Sequence, residues 1–307
     1  MIEIFARSSS MREAFGLAER VAATDSNVLI TGESGVGKDA LALFIHAKSN
    51  RSRQSFVKID CATLPGELLE AELFGFERGA FTGATEAKPG RFEAADKGTI
   101  VLDEIAHLSK DAQAKLLRVI ESREFERLGG RKTIKVDARL IALTNVDLVQ
   151  AVARRSFRED LFYRLNVIQI RVPPLRERGQ DLSQLVQYFL SHYSEKHGRK
   201  VEALSPKALA ILREYDFPGN ARELANILER AVIVANGTTV DASDLPESLT
   251  AAVEANHKGQ RLKTLAELEA AHIREVLQVT DGNKTECARI LGISRKNLYE
   301  KIARYKL

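Results

Sequence analysis

Long apolar runs are missing from this chain. Nowhere in its 307 residues does a stretch approach the ~18 apolar residues that a membrane helix needs, and the N-terminus lacks the basic-then-apolar order of a secretory signal. No membrane association is expected, and a cytoplasmic location is. Cysteine is scarce too: Cys61 and Cys287 lie far apart with no metal-ligand spacing, so each reads as a small buried apolar side chain in a reducing compartment. The six histidines form no cluster of the H-x-x-x-H kind, so a metal site built by the protein alone is not expected. What remains is an ordinary globular composition, 44% hydrophobic and 29% charged, in a chain long enough for about two domains.

Net charge is absent from most of the chain. From Asp281 to the end stand seven basic and three acidic residues, an excess equal to the formal +4 of the whole sequence, so the first 280 residues sum to zero. A positive excess confined to a small C-terminal module is the footprint of a nucleic-acid partner. A solvated basic tail is the plainer alternative.

The stretch that organises the rest is Val28-Leu29-Ile30-Thr31-Gly32-Glu33-Ser34-Gly35-Val36-Gly37-Lys38-Asp39. An apolar, β-branched run ends in a glycine-rich loop of the form G-x-x-x-x-G-K, and Leu41, Phe44 and Ile45 then recur at helix spacing. Such a loop turns backbone N–H groups onto an anion, the helix N-terminus adds partial positive charge, and Lys38 supplies an ammonium for the β- and γ-phosphates of a nucleoside triphosphate. Position 39 departs from the general P-loop, which has a Mg²⁺-ligating Ser or Thr there. With Asp39 in that place, the metal is expected to be held mainly from elsewhere.

The other segments are consistent with a parallel α/β sheet. An amphipathic helix near Ser10 to Ala22, with Phe15, Leu17 and Val21 as packing positions, precedes the P-loop strand, and a second strand, Ser55 to Asp60, ends on a carboxylate. Gly98 to Ile105 is a β-branched run ending in Asp103 and Glu104. Strand carboxyl ends face the ligand in such sheets, so Asp103 is placed to hold Mg²⁺ and Glu104 to orient an attacking water. The strand from Ala138 to Leu143 ends in Thr144-Asn145, which either sense the γ-phosphate or cap the next helix. Gly129-Gly130 reads as a plain connector, and Arg158 and Arg164 read without context as surface charges. Between Phe74 and Thr85, the loop carrying Gly79-Ala80-Phe81-Thr82-Gly83-Ala84 is small-residue-rich with a lone aromatic; Phe81 is either presented to a partner or tucked under its own loop.

After Val172-Pro173-Pro174 the pattern is helical: Asp181 to His192, Ser205 to Tyr215 and Asn220 to Ala235. The expected domains are residues 1–174 (α/β), 175–245 (helical lid), 246–262 (linker, thinnest in apolar periodicity near Ala251 to Gln260) and 263–307 (three helices). In the last, Asn283 and Glu286 are expected to cap reciprocally, Gly292 to turn the chain and Ser294 to cap the third helix. Leu298 and Ile302 are expected to face inward, and Arg295, Lys296, Asn297, Tyr299 and Lys301 outward. That is a helix-turn-helix, with Lys284, Thr285, Ser294 and Arg304 completing its candidate DNA face.

These segments, in this order, resemble the bacterial enhancer-binding proteins, the AAA+ activators of sigma-54 RNA polymerase. Gly79 to Ala84 is similar to their GAFTGA loop, Gly32 to Lys38 to Walker A, Leu102-Asp103-Glu104 to Walker B, and Thr144-Asn145 to sensor I. Arg158 and Arg164 resemble arginine fingers, Pro218 to Leu224 with Arg222 resembles sensor II, and the C-terminal module is similar to a Fis-type domain. An acid after the P-loop lysine is usual there, normally Glu. Asp60 stands where many relatives have an Asn that restrains the catalytic glutamate; a carboxylate cannot donate to Glu104 unless protonated. Phe217 replaces a frequent Trp.

The resemblance implies ATP and Mg²⁺ bound between copies of a ring, normally a hexamer, with fingers reaching a neighbour's γ-phosphate. It also implies a Phe81 loop that engages sigma-54, and paired C-terminal helices on a palindromic duplex whose half-sites lie about one helical turn apart, or a multiple. Arg295 and Asn297 are the expected base readers, and Lys301 and Arg304 the expected phosphate contacts. The activating signal is expected from a removed segment or from a separate protein. Two other classes stand beside this one: an AAA+ remodelling ATPase outside transcription, and a DNA-binding repressor with an idle ATPase fold.

Overall fold

The computed structural model describes residues 6–251, 253, 264–280 and 282–305. They divide into two compact units, Met1–Leu249 and Thr250–Leu307. In chain order, α1 (Ser9–Ala22) leads to β1 (Val28–Thr31), α2 (Lys38–Ala47), β2 (Phe56–Asp60) and α3 (Gly66–Phe74). A short antiparallel pair, β3 (Gly75–Phe76) and β4 (Lys88–Pro89), is followed by α4 (Arg91–Ala94), β5 (Thr99–Asp103) and α5 (Lys110–Ser122). A hairpin, β6 (Glu124–Glu126) with β7 (Thr133–Lys135), precedes β8 (Arg139–Thr144), α6 (Leu148–Ala153), α7 (Glu159–Leu165) and β9 (Ile168–Arg171).

Five of these strands form one sheet in the order β2-β5-β8-β1-β9, each neighbouring pair parallel. A parallel sheet needs cover on both faces, and alternation along the strands supplies it. Val28, Ile30, Val101, Ile141 and Leu143 pack with α1 and α2, while Leu29, Ile100, Leu102 and Ala142 pack with α3, α5 and α7. The strand β9 was not anticipated. Its Ile168-Gln169-Ile170-Arg171 alternation was the available signal, but it stops directly at Val172-Pro173-Pro174, which reads as a break. In α1 the buried set is Met11, Ala14, Ala18, Val21 and Ala22; Phe15 and Leu17, expected to pack, lie partly buried at the edge.

The lid carries α8 (Gly179–Lys196), α9 (Pro206–Glu214) and α10 (Asn220–Val234) around Leu182, Leu190, Leu212, Phe217, Leu224 and Leu228. Ser205 accepts from the Ala208 N–H with Pro206 at the first helical position, a complete N-cap. Residues 247–251, expected to open the linker, are helical, and Leu249 is buried in the lid core. The rest of the expected linker, apart from Pro246 and Val253, lies outside the described residues, as do Asp281 and Lys306.

Among its described residues from Thr264 onward, the second unit carries the helices Leu265–Val279, Lys284–Ile290 and Arg295–Tyr305, closed over Ile273, Val276, Cys287, Ala288 and Leu298. Asn283 caps the second by accepting from Thr285 and Glu286 N–H. The expected reciprocal bond is not the one formed, because the Glu286 carboxylate turns to Arg289 instead. A reciprocal capping box does occur at Thr264 and Glu267.

One buried charge staples the α/β unit. Arg139, 2% exposed, opens β8 and donates from Nη1 to the Ala22 carbonyl (2.9 Å) and from Nη2 to the Val21 carbonyl (2.8 Å), closing the end of α1 onto the sheet. Burial is the main cause of the depression of its pKa from the usual arginine range. Arg139→Ala removes the donor to the Ala22 carbonyl and opens a cavity, while the Val21 carbonyl keeps the Thr24 N–H and hydroxyl, so a loss of about 1–3 kcal/mol in unfolding free energy is expected by denaturant titration. A loss under about 0.5 kcal/mol would show that the staple carries nothing.

Candidate functional site

The strand carboxyl ends meet the P-loop in a cleft of about 420 Å³, lined on the α/β side by Ser34, Gly35, Gly37, Lys38, Asp39, Asp60, Asp103 and Glu104 and on the lid side by Phe189, Ala221, Arg222 and Ala225. Gly37 enters α2 at φ +103°, a left-handed conformation that admits glycine at little cost. Gly35 is required for a different reason: a Cβ there would stand 2.3 Å from the Gly219 carbonyl of the lid. The loop is thus closed down against the lid backbone.

Lys38 is 7% exposed and donates to the Gly32 and Glu33 carbonyls at 2.8 and 3.3 Å, with the Glu104 carboxylate 3.6 Å away. Glu104 holds a left-handed backbone, φ +51°, outside the run of β5, and its Oε2 accepts from the Asn145 N–H at 3.2 Å. Asn145 therefore meets the glutamate through its backbone, while Thr144 is fully buried and accepts from Val146 N–H. The cap of α6 falls to Asp147, which accepts from Val149 and Gln150 N–H. Asp60 does not engage Glu104 among the described contacts; its Oδ1 accepts from Ala62 N–H at 2.8 Å.

Asp103 uses one oxygen on its neighbour's N–H (3.0 Å) and the other on Lys58 Nζ (2.9 Å), which also reaches Asp39 Oδ1 at 2.6 Å. Burial, the largest influence on Lys58, disfavours its ammonium form, but the hydrogen bonds to Asp39 and Asp103 outweigh it and the pKa is raised. Lys58 was missed in the sequence because a lysine in a strand reads as a solvated position. Among the described residues no group of three acidic, His or Cys side chains could hold a metal. The hard carboxylate oxygens of Asp103 and Asp39 still suit Mg²⁺, which characteristically takes one or two protein carboxylates with substrate phosphates.

The P-loop is latched to the lid. Arg176 donates from both Nη atoms to the Glu33 carboxylate (2.9 and 2.5 Å), and buried Asn220 donates to Glu33 Oε2 and to the Ser34 carbonyl while accepting from Leu175 N–H. Arg222 reaches Ser34 Oγ at 3.0 Å, and Arg178, buried, donates to the Val36 carbonyl at 2.6 Å. The Arg176 hydrogen bonds, followed by that of Asn220, hold the Glu33 carboxyl down at about 2.

Arg158 and Arg164 stand apart from this cleft. Arg158 opens α7 and pairs with Asp160; Arg164 pairs with Glu121, and both are exposed. A residue the sequence did not single out sets this entry: fully buried Gln113 accepts from Arg158 N–H and donates to the Leu108 and Ser156 carbonyls. The loop with Gly79 to Ala84 is ordered by turns, Ala84 N–H to Phe81 O and Gly79 N–H to Ala84 O. Phe81 leans edge-on over Phe76 at 5.0 Å and remains 37% exposed, so it is both partly packed and presented. Gly129-Gly130 is no plain connector. A Cβ on Gly129 would meet Ala80 at 2.9 Å, and Leu128 exchanges backbone bonds with Gly75 and Glu77, so the hairpin buttresses the Phe81 loop.

In the second unit Thr285, Ser294, Arg295, Lys296, Asn297 and Arg304 are exposed. Lys284 lies over the Tyr299 ring at 4.9 Å. Lys301 corrects the expectation of an outward-facing side chain: it is half-buried and donates to Glu269 Oε1, with Tyr305 OH on Oε2. No helix among the described residues is long and apolar enough to cross a membrane.

Cleft, latched lid and parallel sheet define a P-loop AAA+ protein that also carries a helix-turn-helix. Family models match as "Sigma-54 interaction domain" over residues 4–171, "AAA+ ATPase lid domain" over 176–262 and "Bacterial regulatory protein, Fis family" over 264–305. The chain belongs to the sigma-54-interacting, NtrC-type bacterial enhancer-binding proteins. It is 46% identical to the transcriptional regulatory protein ZraR of Klebsiella oxytoca over 97% of this chain and 68% of that protein, and 44% identical to the regulatory protein AtoC of Escherichia coli over 98% and 67%. The crystal structure of NtrX from Brucella abortus in complex with ATP superposes with a TM-score of 0.76 at 34% identity, covering 99% of this chain and 70% of that one.

The latch predicts a pH dependence. A carboxyl lowered from 4.5 to about 2 contributes stability that is fully present above pH 4.5 and is lost as pH falls through about 2. The gap in melting temperature between the unsubstituted protein and Glu33→Gln is expected to shrink from pH 5 toward pH 3; a constant gap would contradict the latch.

Proposed function

We propose that this chain is a transcriptional activator that hydrolyses ATP in a ring of copies, a hexamer, and uses the turnover to remodel sigma-54 RNA polymerase into the open complex while its C-terminal helices hold palindromic upstream DNA. The observation that carries this reading is the unbroken GAFTGA segment, standing as an ordered loop with Phe81 exposed on the α/β body that also bears the P-loop cleft.

Each residue has a part in the chemistry. The P-loop N–H groups and the α2 N-terminus bind the phosphates, and Lys38 transfers from its own loop carbonyls to the β- and γ-oxygens. Asp103 would hold Mg²⁺, which when bound neutralises developing charge on the phosphates. Glu104, steadied by the Asn145 N–H, orients the attacking water and accepts its proton. Arg222 and Glu33 tie the phosphate loop to the lid, so the lid follows the state of the loop. Arg158 and Arg164, exposed and clear of the cleft of their own chain, are available to a neighbour's γ-phosphate. Arg295 and Asn297 read base edges, and Lys284, Lys296 and Arg304 approach phosphates. Such work belongs in the cytoplasm.

Two substitutions test this. Arg158→Ala is expected to bind ATP within about twofold of the unsubstituted protein but to lose roughly 10³-fold in turnover, as a finger acting in trans requires; normal hydrolysis would refute the finger. Thr82→Ala is expected to keep measurable ATPase activity and lose sigma-54-dependent open-complex formation. Survival of both activities would sink the activator reading.

A further inference from the structure

Lys58 occupies a place that the functional reading leaves unused. On β2 the side chains of Phe56, Lys58 and Asp60 share one face of the sheet, and the registry sets Lys58 beside Val101 and Asp60 beside Asp103. From there the ammonium reaches along the strand direction to Asp103 Oδ2 (2.9 Å) and across to Asp39 Oδ1 (2.6 Å) in the first turn of α2. The side chain is 37% exposed, Asp103 15% and Asp39 49%, so the Asp103 arm of the bridge is partly shielded and the Asp39 arm is open to solvent. Asp103 Oδ1 is already bonded to the Glu104 N–H, which leaves Oδ2 as the oxygen Lys58 engages.

Two consequences follow from charge alone. Asp39, Asp60, Asp103 and Glu104 crowd one cleft that must receive a polyanionic nucleotide, and Lys38 with Arg222 balances only part of that charge. Lys58 supplies a further positive charge from within the fold. A divalent cation that takes an Asp103 oxygen meets an ammonium already bonded there, so the two compete for one carboxylate.

We propose that Lys58 is a positioning residue that holds Asp39 and Asp103 and competes with the divalent cation for Asp103, so that it sets the cation concentration at which nucleotide is gripped. The inference rests on the nucleotide-binding reading given above. It is independent of the polymerase and of DNA.

The test is equilibrium binding of a fluorescent ADP analogue by the full chain, titrated with Mg²⁺, for the unsubstituted protein and for Lys58→Met, Lys58→Gln and Lys58→Arg. Removing the competing charge is expected to lower the Mg²⁺ midpoint roughly three- to tenfold in both neutral variants, the effect of one charged, half-exposed hydrogen bond. Lys58→Arg, which keeps the charge, is expected to stay near the unsubstituted value. In EDTA the neutral variants should bind the analogue more weakly, because positive charge bonded to two carboxylates of the cleft has been lost, while at saturating Mg²⁺ they should bind within about twofold. A purely structural role would change affinity without moving the midpoint. Mn²⁺ binding followed by electron paramagnetic resonance on the same proteins gives a reading that does not depend on nucleotide fluorescence, and the same ordering is expected. An unchanged midpoint in whichever neutral variant folds, or a midpoint in Lys58→Arg equal to that of the neutral variants, overturns the proposal and leaves the ATPase reading intact. Failure of the unsubstituted protein to bind the analogue at any Mg²⁺ concentration overturns both.

Discussion

One constraint governs this molecule: five strands run the same way, so every strand carboxyl end emerges at a single edge of the sheet. That edge gathers the P-loop after β1, Asp60 after β2, the Asp103-Glu104 pair after β5 and Thr144-Asn145 after β8. No side chain has to travel far to meet another. Helices packed on both faces make the arrangement rigid, and burial of β8 along its whole length fixes the order of the ends.

Gathering acids and an anion-binding loop at one edge creates an electrostatic problem, and the chain answers it with bridges. Lys38 sits between the loop carbonyls and Glu104, Lys58 between Asp39 and Asp103, and Arg176 on Glu33. Each bridge joins two elements that a ligand would also join. Lys38 and Lys58 thus engage the groups proposed to meet a nucleotide's phosphates and its cation, while Arg176 ties the P-loop to the lid. Glu33 and Asn220 extend that coupling to the lid, and the bonds of Leu128 to Gly75 and Glu77 steady the base of the Phe81 loop.

Much of this was legible from the residues, and the exceptions share a cause. Periodicity and glycine spacing expose the P-loop, the strand ends, the Ser205-Pro206 helix start and the three C-terminal helices, because these are local signals. Long-range partners leave no such mark. Gln113 orders the entry to α7 forty-five positions later, and Lys58 finds its carboxylates on two other elements. The β6–β7 hairpin matters for the loop it supports rather than for its own sequence. Lys301 and Glu286 went astray for a related reason: both had more than one charge in reach, and only the packed structure decides between Glu269 and solvent, or between the helix N-terminus and Arg289. The strand β9 was hidden by the prolines that follow it.

The account turns on a γ-phosphate at one edge of a sheet altering the grip of an aromatic loop on the opposite end of a short structural chain. The most direct measurement is binding of purified sigma-54 to this protein in parallel with no nucleotide, ADP, ATP and ADP with aluminium fluoride as a mimic of the transferring phosphate. The account predicts a stable complex in the aluminium fluoride state and weak association in the others. Equal binding in all four states would contradict it.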